Sequence, residues 1–378
     1  MTATRTPALS QLRVAISSKV FTHNVGGNTT YATTLYRHLA LRGVVHRPLW
    51  PTLGNLTGVG RATAYALADA VLSPLPCALR DADLLHYPAD TGALIHSSAP
   101  MVATVHGAAS LHLPVRRPGA ARIWQTRTGR LARLADAVVT VSRSSADDLV
   151  RAFEVPAQRI HVIPHGVDTA RFHTDARADA AVLAQFALPE RFVLYLGNLD
   201  PRKNVPSLIA AMDDPRLVRA GVPLVVAGAP AWDAGPILKA LHTSPRVRYL
   251  GPVGCEAVAP LMRAAEVFAF PSRYEGFGLP VLEAMACGTP VVTTRAGSLP
   301  EVAGDAALTV ADPSPAALAS ALSGLLSDEA GLAGLREAGR ARARQFSWEK
   351  SAAAHHELFV ELAGGGARRG RTGTRAVR

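Results

Sequence analysis

Glu266-Val-Phe-Ala-Phe-Pro271, then Ser272-Arg-Tyr-Glu275-Gly-Phe-Gly278, then Leu279-Pro-Val-Leu-Glu283-Ala-Met-Ala-Cys-Gly288 read in succession as a strand, a glycine loop and a helix. The first is a bounded apolar run with aromatics that stops at proline, the pattern of a short buried strand. In the loop, two glycines permit positive φ and let the backbone approach a ligand where a Cβ would obstruct it. Pro280 suits the first turn of a helix, where its missing N–H costs nothing, and Gly288 suits the position just past the end, so the helix is about two turns long. Its N-terminus carries unpaired N–H groups and a partial positive charge, which attract a phosphate oxygen without any basic side chain. Glu283, eight residues after Glu275, lies about one turn inside, where a carboxylate accepts hydrogen bonds from paired hydroxyls such as a ribose diol. Glu275 stands ahead of the helix and faces the group beyond the phosphates. The arrangement suits a phosphorylated sugar. Taken alone, a pair of glutamates beside a glycine loop reads first as a solvated loop and a helix-start acid.

A second strand and loop lie upstream, in Phe192-Val-Leu-Tyr-Leu196-Gly-Asn-Leu-Asp200-Pro-Arg202-Lys203-Asn204, ahead of a helical stretch from Val205 to Met212. Strand-end loops of parallel sheets are where ligands bind. Two adjacent cations there are, by themselves, an ordinary solvated turn.

Strand-like and helix-like segments alternate along the whole chain, which predicts a doubly wound α/β architecture. Strands are expected at Leu12–Ile16, Pro100–Val105, Ala137–Val141, Leu224–Ala227 and Val247–Leu250, and helices at Thr29–Leu41 and Ser144–Phe153, the latter capped by Ser144. The loose Ala/Asp-rich stretch Thr174–Gln185 marks a linker. The division is residues 1–175 for a first Rossmann-like domain, 176–190 for the linker and 191–345 for a second such domain. A terminal helix then covers 346–363, and a basic tail, 364–378, is expected to be disordered.

At 378 residues, with 48% hydrophobic residues, the chain is long enough for two separate cores. Three cysteines, Cys77, Cys255 and Cys287, have no metal-ligand spacing. Their sparse, odd count points to reduced thiols in the cytoplasm rather than a disulfide framework. The N-terminal residues lack a signal-peptide core, and no apolar run reaches the roughly 18 residues that span a bilayer, so a soluble or peripheral protein is expected. The net charge of +11 is uneven: residues 1–190 hold 19 Lys+Arg against 12 Asp+Glu, residues 191–362 hold 16 against 17, and the tail holds 5 against none. That excess suggests phosphates, a membrane surface or nucleic acid. Nucleic acid is set aside, because no basic stripe interleaved with aromatics and no recognised module is present.

The first half offers a facing wall for a site. Thr22-His-Asn-Val-Gly26-Gly27-Asn-Thr29 places two glycines between a strand and a helix, and His106 follows the strand that ends at Val105. Asp81-Ala-Asp83 has a spacing that holds divalent metal in other proteins, but it precedes the strand-like Leu84-Leu-His-Tyr87, and no metal is assigned to it. Residues 116–134 carry Arg116, Arg117, Arg122, Arg127, Arg130 and Arg133 among Ile123, Trp124, Leu131 and Leu134. The segment is either a basic amphipathic surface resting on an anionic membrane or an ordinary surface helix packed by its apolar face.

The run from Glu275 to Glu283, continued by Ala296-Gly-Ser-Leu-Pro-Glu301-Val-Ala-Gly304, resembles the E-x7-E region of retaining glycosyltransferase family 4. Gly197 to Lys203, Val139–Leu149 and His165-Gly-Val-Asp168 also resemble segments of that family, so the likeness extends from Leu12 to Phe346. The resemblance implies the GT-B fold, two Rossmann-like domains facing across a cleft, with the terminal helix packed back on the first. It implies that Arg202 and Lys203 hold a donor diphosphate, Arg202 as a fork and Lys203 as a point charge. Backbone at Gly26, Gly27, Phe277, Gly278 and Leu279 is implied to share that task, with Glu283 on the ribose and Glu275 and His106 on the transferred sugar. Many relatives carry Asp after that histidine; here Gly107 stands instead, so a carboxylate partner for the acceptor is not assigned there. The implied reaction moves a hexose from GDP-mannose or a UDP-sugar to a glycan or lipid-linked acceptor, with retention, no metal and no cofactor. It takes place in the cytoplasm or at the inner membrane face, in polysaccharide biosynthesis. A nucleotide-sugar epimerase of the same fold and a non-catalytic sugar-nucleotide binder are the alternatives.

Overall fold

Strands β1 (Arg13–Ser17), β3 (Leu84–Tyr87), β4 (Met101–Val105) and β5 (Ala137–Thr140) are almost wholly buried, which requires cover on both faces of their sheet. Alternation decides which face each side chain joins. Val14, Ile16, Leu84, Val102 and Val139 enter one apolar core, while Ala15, Leu85, Met101, Ala103 and Val138 enter another on the opposite side. With β2 (Val45–Leu49) and β6 (Ile160–Val162) these strands form a parallel sheet in the order β2-β1-β3-β4-β5-β6. The computed structural model describes residues 11–17, 19–22, 27–50, 58–90, 92–113, 118–231 and 233–372.

A second parallel sheet contains β7 (Val193–Leu196), β8 (Leu224–Ala227), β9 (Val247–Gly251), β10 (Val267–Phe270), β11 (Val291–Thr294) and β12 (Leu308–Val310), in the order β12-β11-β10-β7-β8-β9. The expected α/β architecture, two doubly wound units, is what the chain adopts. In each sheet the strand order reverses once, between β1 and β3 and between β7 and β10. Loops at the carboxyl ends of strands diverge at such a point and leave a crevice for ligands.

Element boundaries depart from expectation by a residue or two, with instructive exceptions. The helix Arg143–Phe153 is capped by Ser142, whose side chain accepts from the Ser145 N–H, and not by Ser144. Ser142 has the extended backbone a cap requires. The stretch read as loose holds a short helix, Asp179–Leu183, and Asp179 is buried in a two-oxygen pairing with Arg263 at 2.6 Å to each. The terminal helix runs from Trp348 to Thr372 and so continues through the glycines where a disordered tail is expected from residue 364. Adding a residue to an existing helix avoids the cost of nucleation.

That terminal helix joins the first domain. Trp348, Ala352, Leu358 and Phe359 share a core with Val14 and Ile16. Beside them runs a buried polar chain. The Ser351 carbonyl can only accept, so His355 Nδ1 donates to it (2.7 Å) and Nε2 accepts from the Tyr31 hydroxyl (2.8 Å). Thr104 Oγ1 then donates to Tyr31 (3.1 Å) and accepts from His86 Nε2 (2.8 Å), while Tyr36 donates to His86 Nδ1 (2.6 Å). Burial holds the His86 imidazole well below its ordinary range and pushes His355 down to about 4, so each ring carries one proton, as this pattern needs.

Candidate active site in the interdomain cleft

The switch points of the two sheets face each other across a cavity of about 700 Å³. Asp200 opens the turn after β7 by accepting the Arg202 N–H at 2.9 Å, Pro201 sets the first φ, and Asn204 closes it in the left-handed region at φ 57°. This pins two consecutive cations at the strand end. Lys203 is 7% exposed and donates to Glu275 Oε1 at 2.5 Å, with its ammonium 4.6 Å from the centre of the Phe270 ring. Arg202 Nη1 donates to Glu275 Oε2 at 3.1 Å and to the Tyr274 carbonyl at 3.2 Å. The loop that carries Glu275 is itself held by Ser298, whose hydroxyl donates to the Glu275 and Phe277 carbonyls.

Burial dominates the charges here and its effects are opposed by the neighbours. It pushes the Lys203 amine down to about 8 despite the attraction of Glu275. Burial also works to raise the Glu275 carboxyl, but Lys203 and Arg202 outweigh it and hold that group below its ordinary value. The result is a fixed group of two cations held between Glu275 and Asp200, with most of the guanidinium N–H donors and two ammonium protons without a hydrogen-bond partner among the described residues.

The helix Leu279–Ala286 opens onto the same cavity with no side-chain cap. Gly278, at φ 101°, is needed there: a Cβ would also stand 2.7 Å from a Leu299 methyl. Phe277, Gly278 and Leu279 line the cavity beside Glu275, Arg202 and Lys203. Glu283 does not. It sits half-buried on the same helix, and burial raises its carboxyl to about 7, with Arg171 only partly opposing.

The first domain supplies the opposite wall through Gly27, Asn28, Asp90, His106, Ser110 and His165. Gly27 has open space where a Cβ would lie; Gly26 falls outside the described residues. His106 Nε2 donates to the Pro88 carbonyl at 3.0 Å, which leaves Nδ1 as an acceptor, and burial lowers its pKa so that the ring stays neutral. Asp81 and Asp83 precede β3 and so lie at the end of that strand away from the cavity; Asp83 accepts the Arg13 N–H. In the helix Pro118–Leu134, Trp124 and Leu131 turn inward and Ile123 is left 63% exposed.

Contacts of three kinds, among others between described residues, hold the walls together. The Tyr274 hydroxyl donates to Asp148 (2.9 Å) and accepts from the Ala108 N–H (3.0 Å), while its ring stacks on His112 with centroids 4.7 Å apart. The Glu301 carboxylate accepts the Arg143 and Ser144 N–H groups, both at 2.7 Å, and so covers the start of a helix in the other domain. Gly276 and Gly107 meet backbone to backbone. A Cβ on Gly276 would stand 1.8 Å from the His106 carbonyl oxygen, and one on Gly107 would stand 2.9 Å from the Gly276 Cα.

Two family models divide the chain as the two sheets do. Residues 19–171 match Glycosyltransferase Family 4, and residues 190–328 match Glycosyl transferases group 1. The chain belongs to glycosyltransferase family 4. Among curated relatives of this family 4 chain is O-antigen chain mannosyltransferase B of Escherichia coli, 37% identical over 218 residues. That match takes in 56% of this chain and 57% of the relative, so the chain spans little more than half of that protein's length. Among solved structures, sucrose-phosphate synthase from Thermosynechococcus elongatus superposes with a TM-score of 0.74 at 23% identity, over 94% of this chain and all of that one. HepE from Anabaena, solved in complex with UDP and glucose, superposes with a TM-score of 0.69 at 18% identity, over 93% of this chain and all of that one. The family 4 chain has the GT-B fold.

Several cavity residues of the family 4 chain carry no local signal in sequence. Tyr274 and Asp90 depend on partners that only the fold brings to them. His165 is 5% exposed among Phe277, Trp348, Tyr31 and His106, and neither ring nitrogen has a hydrogen-bond partner among the described residues. Glu301 lies in a run that resembles the family, but nothing near it predicts a helix start in the other domain as its partner.

Proposed function

We propose that the chain is a retaining glycosyltransferase that moves a hexose from a nucleotide diphosphate sugar to a glycan or lipid-linked acceptor, without metal. The observation that carries this reading is the pinned group of Arg202, Lys203 and Glu275 beside an uncapped helix start at a topological switch point. Arg202 and Lys203 direct their free donors at the diphosphate, joined by backbone N–H groups of Phe277 to Leu279 and of the Gly26-Gly27 turn. They stabilise the charge that develops as the nucleotide leaves. Glu283, behind the lining residues on the same helix, takes the ribose diol where the nucleotide extends past Leu279. Glu275, with both cations fixed on it, and His106, through Nδ1, orient the sugar hydroxyls.

In this scheme the bond from the anomeric carbon to the donor phosphate breaks, and the acceptor oxygen bonds to that carbon on the same face. The acceptor proton passes to the departing phosphate oxygen. Glu275 forms no covalent bond; its contribution is position. Mannose is preferred because the Escherichia coli relative is named a mannosyltransferase; UDP-glucose is the alternative donor, since HepE is solved with UDP and glucose. The basic charge of the first half supports a peripheral contact with anionic lipid in the cytoplasm.

Glu275→Gln and Lys203→Ala should each lower transfer at least roughly a hundredfold while leaving the circular dichroism of the fold unchanged. Near-normal turnover in either variant would reject the assignment. Conversion of donor without an acceptor would favour an epimerase, and donor affinity with no turnover would favour a binding protein. Inversion at the anomeric carbon of the product would remove the same-face scheme.

A further inference from the structure

The cavity holds three carboxylates, and two of them face cations. Glu275 contacts Arg202 and Lys203, and Asp200 lies 3.7 Å from the Arg202 guanidinium. The third, Asp90, follows β3 at the switch point of the first sheet, on the wall opposite those cations, and has no cationic partner among the described residues. Its Oδ1 accepts the His106 N–H at 3.0 Å, and its own carbonyl accepts from the Thr128 hydroxyl at 2.7 Å. Both ends of the residue are thereby fixed, and Oδ2 accepts from no donor among the described residues. The same wall of the cavity also includes Asn28 and Ser110. Gly107 cannot supply a carboxylate here, because any Cβ would run into Gly276.

A fixed carboxylate oxygen with an amide on the same wall takes hydroxyl groups. An unneutralised carboxylate repels a phosphate at the same spot. Resting on the transferase reading above, we propose that Asp90 anchors the acceptor and that the acceptor end bound here is an uncharged polyol, with Asp90 Oδ2 accepting hydrogen bonds from its hydroxyls. Asp90 orients the acceptor and takes no proton from it.

The test uses the full chain saturated with GDP or UDP, with methyl α-mannopyranoside and its 6-phosphate as probes, followed by ligand-observed NMR. Asp90→Asn keeps an oxygen for the His106 N–H while removing the charge. The neutral probe should bind the wild type better than the phosphate, and Asp90→Asn should weaken it at least roughly tenfold and narrow its lead over the phosphate. Nucleotide affinity should not change. Equal binding of the neutral probe to both proteins, preference of the wild type for the phosphate, or no neutral binding to nucleotide-loaded protein would each overturn this inference alone. Failure of the wild type to bind either nucleotide would instead sink the transferase reading, and this inference with it.

Discussion

At Lys203 and Glu283 burial moves two groups toward each other on the pH scale, to about 8 and about 7. In the proposed site Glu283 must be ionised to accept from a diol, and Lys203 must be protonated to hold a phosphate. Nucleotide-sugar affinity should therefore rise as pH passes about 7 and fall as it passes about 8, a narrow bell measurable by calorimetric titration. Lys203→Arg should remove the alkaline limb, because a guanidinium stays charged; a flat profile in the wild type would contradict both roles. Folding is linked to the same groups. A carboxyl with a raised pKa binds its proton more tightly when folded, so the stability due to protonated Glu283 is full below the ordinary carboxylate range and lost as pH rises to about 7. Glu283→Gln should accordingly raise the melting temperature above about pH 7 and have little effect below about pH 4. A stabilisation independent of pH would show that the carboxyl is not perturbed. Lys203 and Glu275 are legible in the sequence because strand, loop and helix signals surround them. Asp90 is not, since a lone acid in a loop means nothing until the sheet brings its neighbours together; His165 is marked only by the family-like segment that contains it.

Among the elements, the loop Ser272–Gly278 and the helix after it hold the most specific geometry. Gly276→Ala would drive a methyl into the His106 carbonyl in the closed cleft. Transfer should fall at least roughly tenfold while thermal unfolding changes little, because the clash is between domains and not within one core. Unchanged activity would mean that the closed arrangement is not the working one. Glu301→Ala should cost about 0.5–2 kcal/mol by uncovering the start of the Arg143–Phe153 helix, read from denaturant unfolding. Strands such as β8 and β10 are legible to within a residue because apolar runs bounded by Gly or Pro leave little choice. The cap at Ser142 is harder to place, since Ser142, Ser144 and Ser145 all offer a hydroxyl and only backbone conformation separates them. The Asp179–Leu183 helix is hidden for another reason: its anchor, Arg263, is 84 residues away.

On the scale of the whole molecule, the C-terminal helix closes the first domain's core, and the chain from Tyr36 through Thr104 to His355 ties it there. Tyr31→Phe removes the central hydroxyl and leaves His355 Nε2 buried without a donor. The expected cost is about 1–3 kcal/mol in the unfolding of the first domain, by denaturant titration. No change would mean that water replaces the lost bond. This tie spans more than three hundred residues of sequence, which is why composition and periodicity are silent about it, whereas the paired sheets follow from the alternation of strand and helix signals. The central claim concerns the cleft between those sheets, where cations on one wall hold a nucleotide diphosphate sugar. Its most direct measurement is calorimetric titration of GDP-mannose and UDP-glucose against the wild type and Lys203→Ala, without divalent metal. One of the two sugars should bind the wild type and lose at least roughly tenfold in affinity in the variant. Binding of neither sugar, or equal binding by both proteins, would contradict the account.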